Sequence, residues 1–224
     1  TGWVDGLALH QAITRVRPDV MYLANRDAIR LVPDLDRLII PVEWLKERRS
    51  RHRMTETFRK VRDAFARQCL VVIFPAGAMA KLTWRGLREP NWFPTPAKFI
   101  ARYAVPAIPV HIAARNSWMY YAFSLVHEEL RDLTRFSEFL NKKGSPFTLT
   151  FGAPLPAPAS AECPEDLIAA YQDFIEFDLP RGRAFDADGT PDPVSAPPAS
   201  LNCRRSQEKN QYTPQIFQLF KYEK

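Results

Sequence analysis

What the chain lacks narrows its function first. Its three cysteines, Cys69, Cys163 and Cys203, stand far apart and form no C-x-x-C pair, so neither a zinc site nor a disulfide framework is signalled. The four histidines are scattered and give no metal-ligand spacing. This cysteine usage suits a reducing, cytoplasmic setting. No apolar run reaches the roughly 18 residues that a membrane-spanning helix needs. The longest, residues 69–74 (CLVVIF), is strand length. The first residues carry no basic patch leading into an apolar stretch, so no signal peptide is read. There is no initiator Met either: the chain starts at Thr1 inside what reads as a loop entering a helix, and a native N-terminus further upstream is expected. No G-x-S-x-G elbow occurs, which disfavours a serine hydrolase. No internal repeat is visible.

What is present reads as a globular domain. The 224 residues suffice for one sizeable domain and a tail. With 46% hydrophobic and 25% charged residues, the composition is near the average for globular domains. The net charge of +6 suits an anionic membrane surface, a phosphorylated substrate or nucleic acid. Much of the excess sits in residues 46–60, where Arg48, Arg49, Arg51, Arg53 and Arg59 cluster. A solvated helix face is one reading of that cluster. Anionic lipid headgroups are the other, each basic residue near such a surface gaining about 1 kcal/mol. Nucleic acid is not expected, because no motif of that class is present.

Helical periodicity is expected over residues 5–16, 55–68, 94–103, 118–126, 135–140 and 165–177. Strands are expected over residues 19–24, 38–40, 70–74, 107–112 and 147–151, with Pro41 closing the second. Residues 26–31 read as a helical turn broken by Pro33. Residues 70–74 are continuously apolar, as in a strand buried on both faces of a parallel sheet. Strands alternating with helices imply an α/β fold, a mostly parallel central sheet flanked by helices. The domain is expected over residues 1–180. From 181 to 224, Asp, Gly, Pro, Ser and polar residues read as a flexible tail without a core. Its piece 216–220 is aromatic for a tail, as a docking segment or an extension foreign to the domain would be.

Two short motifs carry chemistry. In the first, Val72-Ile73-Phe74-Pro75-Ala76-Gly77, a buried strand ends at Pro75 and Gly77 opens a turn. Amides released at such a turn can face an anion, and glycine permits close approach. The plainer reading is a common way of leaving a sheet. In the second, Val105-Pro106-Ala107-Ile108-Pro109-Val110, two prolines bracket a strand entrance. Alone it is a rigid loop feeding a core strand.

In this order and at this separation, the two motifs resemble the third and fourth blocks of the glycerolipid acyltransferase superfamily, which includes the 1-acylglycerol-3-phosphate acyltransferases. The common third block is Phe-Pro-Glu-Gly-Thr-Arg; here Ala76 stands in place of the Glu. The hemolysin-like and lyso-ornithine-lipid branch typically reads Phe-Pro-Ala-Gly there. Residues 5–9 (DGLAL), 39–43 (IIPVE), 114–117 (ARNS) and 140–144 (LNKKG) also resemble that branch.

The resemblance implies transfer of a fatty acyl group from acyl carrier protein or coenzyme A to a lysolipid hydroxyl. That would occur at the inner face of the cell membrane, with the enzyme bound peripherally. No cofactor beyond the thioester co-substrate is implied. In the family a His removes the hydroxyl proton, an Asp orients its ring, and backbone amides stabilise the oxyanion. The branch's first block resembles Asn-His-Pro-x-Gly-x-x-Asp-Gly. Asp5-Gly6 matches its end and Thr1-Gly2 its middle, so Asn-His-Pro would fall just before Thr1. Asp5 is then the orienting carboxylate, its partner His absent from the chain, and little or no activity is expected of it. A helix N-cap is the plainer role for Asp5. Phe74, Pro75, Ala76, Gly77, Lys81, Arg85 and Glu43 are the implied substrate-binding residues, with Lys81 as the headgroup or phosphate contact. Each charged one also reads as an ordinary surface residue. Arg26, beside a strand end, is a candidate for the same cleft. Trp84, Trp92, Phe93 and Trp118 suit core packing, an acyl tunnel or a membrane-facing surface.

His127 and Asp132 match the spacing of the family's His–Asp pair, but they follow the fourth block, whereas the family's pair precedes the second. His10 lies beyond Asp5 on the same helix and meets a similar objection. A non-enzymatic, degenerate acyltransferase domain that binds membrane lipid or a partner is the competing expectation.

Overall fold

The computed structural model describes residues 3–43, 46–84, 86–114, 116–126, 134, 137–138, 140–142, 147–155, 163–185 and 217–223. It is a mixed α/β chain. At its centre β2 (Ile39–Val42), β1 (Val20–Asn25) and β3 (Leu70–Ile73) form a three-stranded parallel sheet flanked by helices. The sheet continues in the order β2-β1-β3-β8-β6-β7. Here β6 is Ala107–Ala113, β7 is Thr148–Phe151 and β8 is Phe217–Glu223. Only the β6–β7 pair is antiparallel in that sheet.

Strand pleating assigns the helices to faces. Val71 and Ile73 of β3 point to one side and Leu70 and Val72 to the other, as alternation requires. The first side packs on α3 (Arg51–Ala66), α4 (Thr95–Tyr103) and α6 (Pro164–Asp173) through Val61, Ala64, Phe65, Ala97, Ile100, Ile168 and Tyr171. The second packs on α1 (Trp3–Ile13) through Leu9 and Ile13, with Val110 and Ile112 of β6. A strand covered on both faces has no polar side, which accounts for the unbroken apolar run. Burying each of its side chains contributes roughly 1.5–3 kcal/mol.

Local chemistry sets the element ends. The Ser50 hydroxyl accepts the Arg53 amide at 3.2 Å and caps α3. That helix runs into Gln68 at φ 59°, a left-handed turn that delivers the chain to β3. α4 carries a proline in its first turn, where the missing N–H costs nothing, and stops at Ala104, φ 49°. Pro41 does not close its strand as expected. β2 continues through it to Val42 with Ala24 opposite Pro41, because an edge strand tolerates a residue without an N–H.

The helical turn expected over residues 26–31 is α2 (Asp27–Leu31), which ends before Pro33, where a 3-10 turn (Pro33–Arg37) follows. Two features depart from the expected layout. A short hairpin of β4 (Lys81–Thr83) and β5 (Gly86–Arg88) follows the turn after β3, and no period signalled it. Within the stretch expected to be a coreless tail, Phe185 packs its ring 5.2 Å from both Tyr171 and Phe174. Residues 217–223 then run as β8 between β3 and β6. The expected helix 118–126 is α5 (Trp118–Val126); of the helix expected over 135–140, residues 137–138 and 140 are helical and the other three lie outside the described residues.

One close approach is diagnostic. Gly152 follows β7 and donates its amide to Pro109 at 2.9 Å. A Cβ there would lie 2.7 Å from the Pro109 ring and 2.9 Å from a methyl of buried Leu179. Gly152→Ala is expected to destabilise the fold by about 1–3 kcal/mol through overpacking. Urea unfolding followed by far-ultraviolet circular dichroism checks this.

Candidate functional site

Three parallel strands end side by side at one edge of the sheet, and a crevice beyond the carboxyl ends of such strands is where open α/β sheets hold ligands. Leu23 of β1, Val42 and Glu43 at the end of β2, and Ile73, Phe74 and Pro75 at the end of β3 form its floor. α3 supplies one wall with Arg53, Met54, Thr57 and Phe58. Phe93 and the start of α4, with Thr95, Pro96 and Phe99, supply the other. The cleft encloses about 290 Å³, just under the range of small-molecule sites, and most of its lining is carbon. Phe58 meets Phe99 edge to face at 5.9 Å, so the wall is aromatic as well as aliphatic.

Glu43, Arg49 and Arg53 are the charged residues among its lining. Glu43, whose side chain is only 7% exposed, pairs with Arg53. Arg53 also donates to the Arg48 carbonyl at 3.0 Å, and Arg49 donates to the Glu43 carbonyl at 3.1 Å. The two arginines are thus tied to the backbone of residues 43 and 48 beside the Glu43 carboxylate. A mostly apolar cleft with guanidinium groups in its lining suits an amphipathic molecule: a hydrocarbon portion within and an anionic or strongly polar head at the arginines.

The Phe-Pro-Ala-Gly turn forms part of this floor. Phe74 and Pro75 line the cleft, and the Pro75 carbonyl accepts the Phe93 amide at 3.1 Å, which brings Phe93 to the opposite wall. Ala76 is buried in the core. Gly77, at φ 63°, donates to the Phe74 carbonyl at 3.2 Å and turns the chain away from the sheet. A larger residue at position 76 would have to enter that core, so the structure accounts for alanine there by packing.

The other expected site residues disperse. Asp5 is fully buried in the first turn of α1, on the opposite face of the sheet, and does not line the cleft. Lys81 begins β4, while Arg85, His127 and Asp132 lie outside the described residues. His10 places Nδ1 3.1 Å from the Tyr22 hydroxyl, whose own pKa burial pushes up. Trp92 is buried and donates Nε1–H to Glu89 at 2.9 Å, whereas Trp84 and Trp118 are exposed. Arg26 is not in the cleft: it bonds Glu56 of α3 at 2.5 Å. Sequence reasoning missed Arg49 and Arg53 as individual rim residues, although it marked their cluster. It also missed buried Glu138, which accepts the Ser117 amide at 2.8 Å and so steadies the start of α5.

A second depression, bounded by Asp36, Arg37, Lys60, Asp63 and Arg67, is larger but charged and open. Lys60 and Asp36 pair within it at 2.7 Å. Among the described residues no group of three His, Cys, Asp or Glu side chains is placed to hold a metal ion.

The Arg26–Glu56 pair ties the end of β1 to α3 and thereby holds the cleft wall. A hydrogen bond from the guanidinium keeps the Glu56 carboxyl below its ordinary range, outweighing the opposing effect of burial. A depressed carboxylate pKa stabilises the fold above its unfolded value, near 4.5, and the benefit is lost as pH falls through the folded value. Glu56→Gln is therefore expected to cost about 1 kcal/mol at neutral pH and less at pH 3. Paired urea titrations at the two pH values check it.

No family model, curated protein or solved structure matches this chain.

Proposed function

We propose that this chain carries the lipid-binding half of an acyltransferase site, in which a fatty acyl group passes from acyl carrier protein or coenzyme A to a lysolipid hydroxyl. One observation supports the reading above the others. Phe74 and Pro75 of the Phe74-Pro75-Ala76-Gly77 turn, which carries part of the family resemblance, line a mostly apolar cleft together with Arg49 and Arg53. An acyl chain and an acidic headgroup are the two halves of the ligand such a cleft suits. The acyltransferase-like form of the fold belongs to the same proposal.

Asp5 has the role of orienting carboxylate in this reading. Its burial at the start of α1 suits a group that is held in place to position an imidazole. Gly6 beside it faces open space, which leaves room for a further segment against the helix. The proton acceptor would be the histidine of an Asn-His-Pro segment preceding Thr1. Lys81 would contact the headgroup from the hairpin. Lysophosphatidic acid, another lysophospholipid and a lyso-ornithine lipid are the acceptor classes in play.

A lipid-binding module without catalysis is the second reading, and one observation favours it: neither Asp5 nor any histidine lines the cleft. Acyl transfer from radiolabelled acyl carrier protein to a lysolipid panel separates the two. Three chains are compared: this one, one extended by the residues encoded immediately upstream of Thr1, and the extended chain carrying Asp5→Asn. The catalytic reading predicts transfer by the extended chain alone, reduced by about 10³-fold or more on Asp5→Asn. Folded extended protein that transfers nothing leaves the binding module.

A further inference from the structure

The mouth of the cleft is built differently from the rest of the surface. Met54 is 52% exposed, Phe58 45% and Phe93 49%, and all three stand at the opening of the same trough. Arg51, Met54 and Phe58 lie three and four residues apart, on one stripe of α3. Large apolar side chains that line a cavity and also face water are unusual for a surface whose only neighbour is solvent.

Charge surrounds this apolar patch. Arg48, Arg49 and Arg51 are exposed, and Arg53 lies beneath them on Glu43. The acids nearby are Asp27, Glu43 and Glu47. Asp27 lies 3.1 Å from Arg30 and 3.8 Å from Arg48, and Glu43 is taken by Arg53. Five arginines (Arg30, Arg48, Arg49, Arg51 and Arg53) thus meet three carboxylates, and the rim keeps a cationic excess. The Arg26–Glu56 pair alongside is neutral.

We propose that this face, centred on Met54, Phe58 and Phe93, docks on an anionic lipid bilayer. The three apolar side chains would enter the interface while Arg48, Arg49 and Arg51 face acidic headgroups. The combination is what an interfacial surface requires: apolar area for the acyl boundary, and cations that each gain about tenfold or less near anionic lipid. The inference rests on the lipid reading of the cleft and adds its consequence. A trough whose mouth lies against the bilayer receives its amphipathic ligand directly from the membrane, with no exposure of the hydrocarbon chain to water.

Co-sedimentation of the full chain with vesicles tests it. Vesicles of phosphatidylcholine alone are compared with vesicles of phosphatidylcholine and phosphatidylglycerol, at low and moderate salt. Binding is expected only with phosphatidylglycerol, and weaker as salt rises. The double variant Arg48→Gln/Arg51→Gln is expected to bind about 30-fold more weakly. Met54→Ser/Phe58→Ser should lose a similar factor while its circular dichroism spectrum stays unchanged. Arg62→Gln/Arg183→Gln removes the same charge from exposed positions elsewhere and should change binding by less than about threefold. Equal losses in both arginine double variants would overturn the docking face, as would no vesicle binding by folded protein. Lost binding with transfer to detergent-dispersed lysolipid intact would remove the docking face and leave the catalytic reading standing. Vesicle binding by an extended chain that transfers nothing would do the reverse.

Discussion

Burial of β3 on both faces is the constraint from which the rest of the structure follows. Val71 and Ile73 require α3, α4 and α6 on one side, and Leu70 and Val72 require α1 on the other. Four consecutive apolar residues cannot lie at a solvent-facing edge without cost, so the strand sits inside the sheet with β1 on one flank and β8 on the other. Its interior place also determines where it stops. The chain must leave a covered layer, and Pro75 followed by Gly77 at φ 63° does so within three residues. The exit forms the floor of the cleft, so the strand that organises the core also organises the site.

Much of this was legible in the residues. The alternation of strands with helices, the double-sided burial of 70–74 and the amphipathic stripe of Phe58, Val61, Ala64 and Phe65 are period signals, and of that stripe the last three are buried while Phe58 stays half-exposed. The β4–β5 hairpin was not legible, because three-residue strands are too short to show a period. β8 was not legible either. FQLFKYE mixes apolar residues with Gln218, Lys221 and Glu223, and follows a long Pro- and Ser-rich stretch, so its composition argues for a tail. Pro41 misled as a stop because its tolerance depends on β2 being the edge strand, which is a property of the sheet and not of the sequence nearby.

The site was legible as a place more than as a set of side chains. Phe74 and Pro75 were marked by their turn and Glu43 by its position after a strand, and these three do line one cleft. Asp5 was expected at the same site yet sits across the sheet, because α1 packs on the face opposite α3 and α4. The arginine cluster at 46–60 carried the right chemistry without a direction. Only the geometry of α3 separates Arg53, folded onto Glu43, from exposed Arg51, and both from Arg59 farther along the helix.

The central claim is that the cleft between α3 and α4 holds a fatty chain with its head at Arg49 and Arg53. Photo-crosslinking tests it most directly: a diazirine-bearing lysophospholipid is irradiated with the protein and the adducts are mapped by peptide mass spectrometry. The account predicts adducts on the peptides carrying Met54, Phe58, Phe93 and Phe99, competed away by unlabelled lysophospholipid. Adducts spread over the surface, or confined to the charged depression around Lys60 and Asp63, would contradict it.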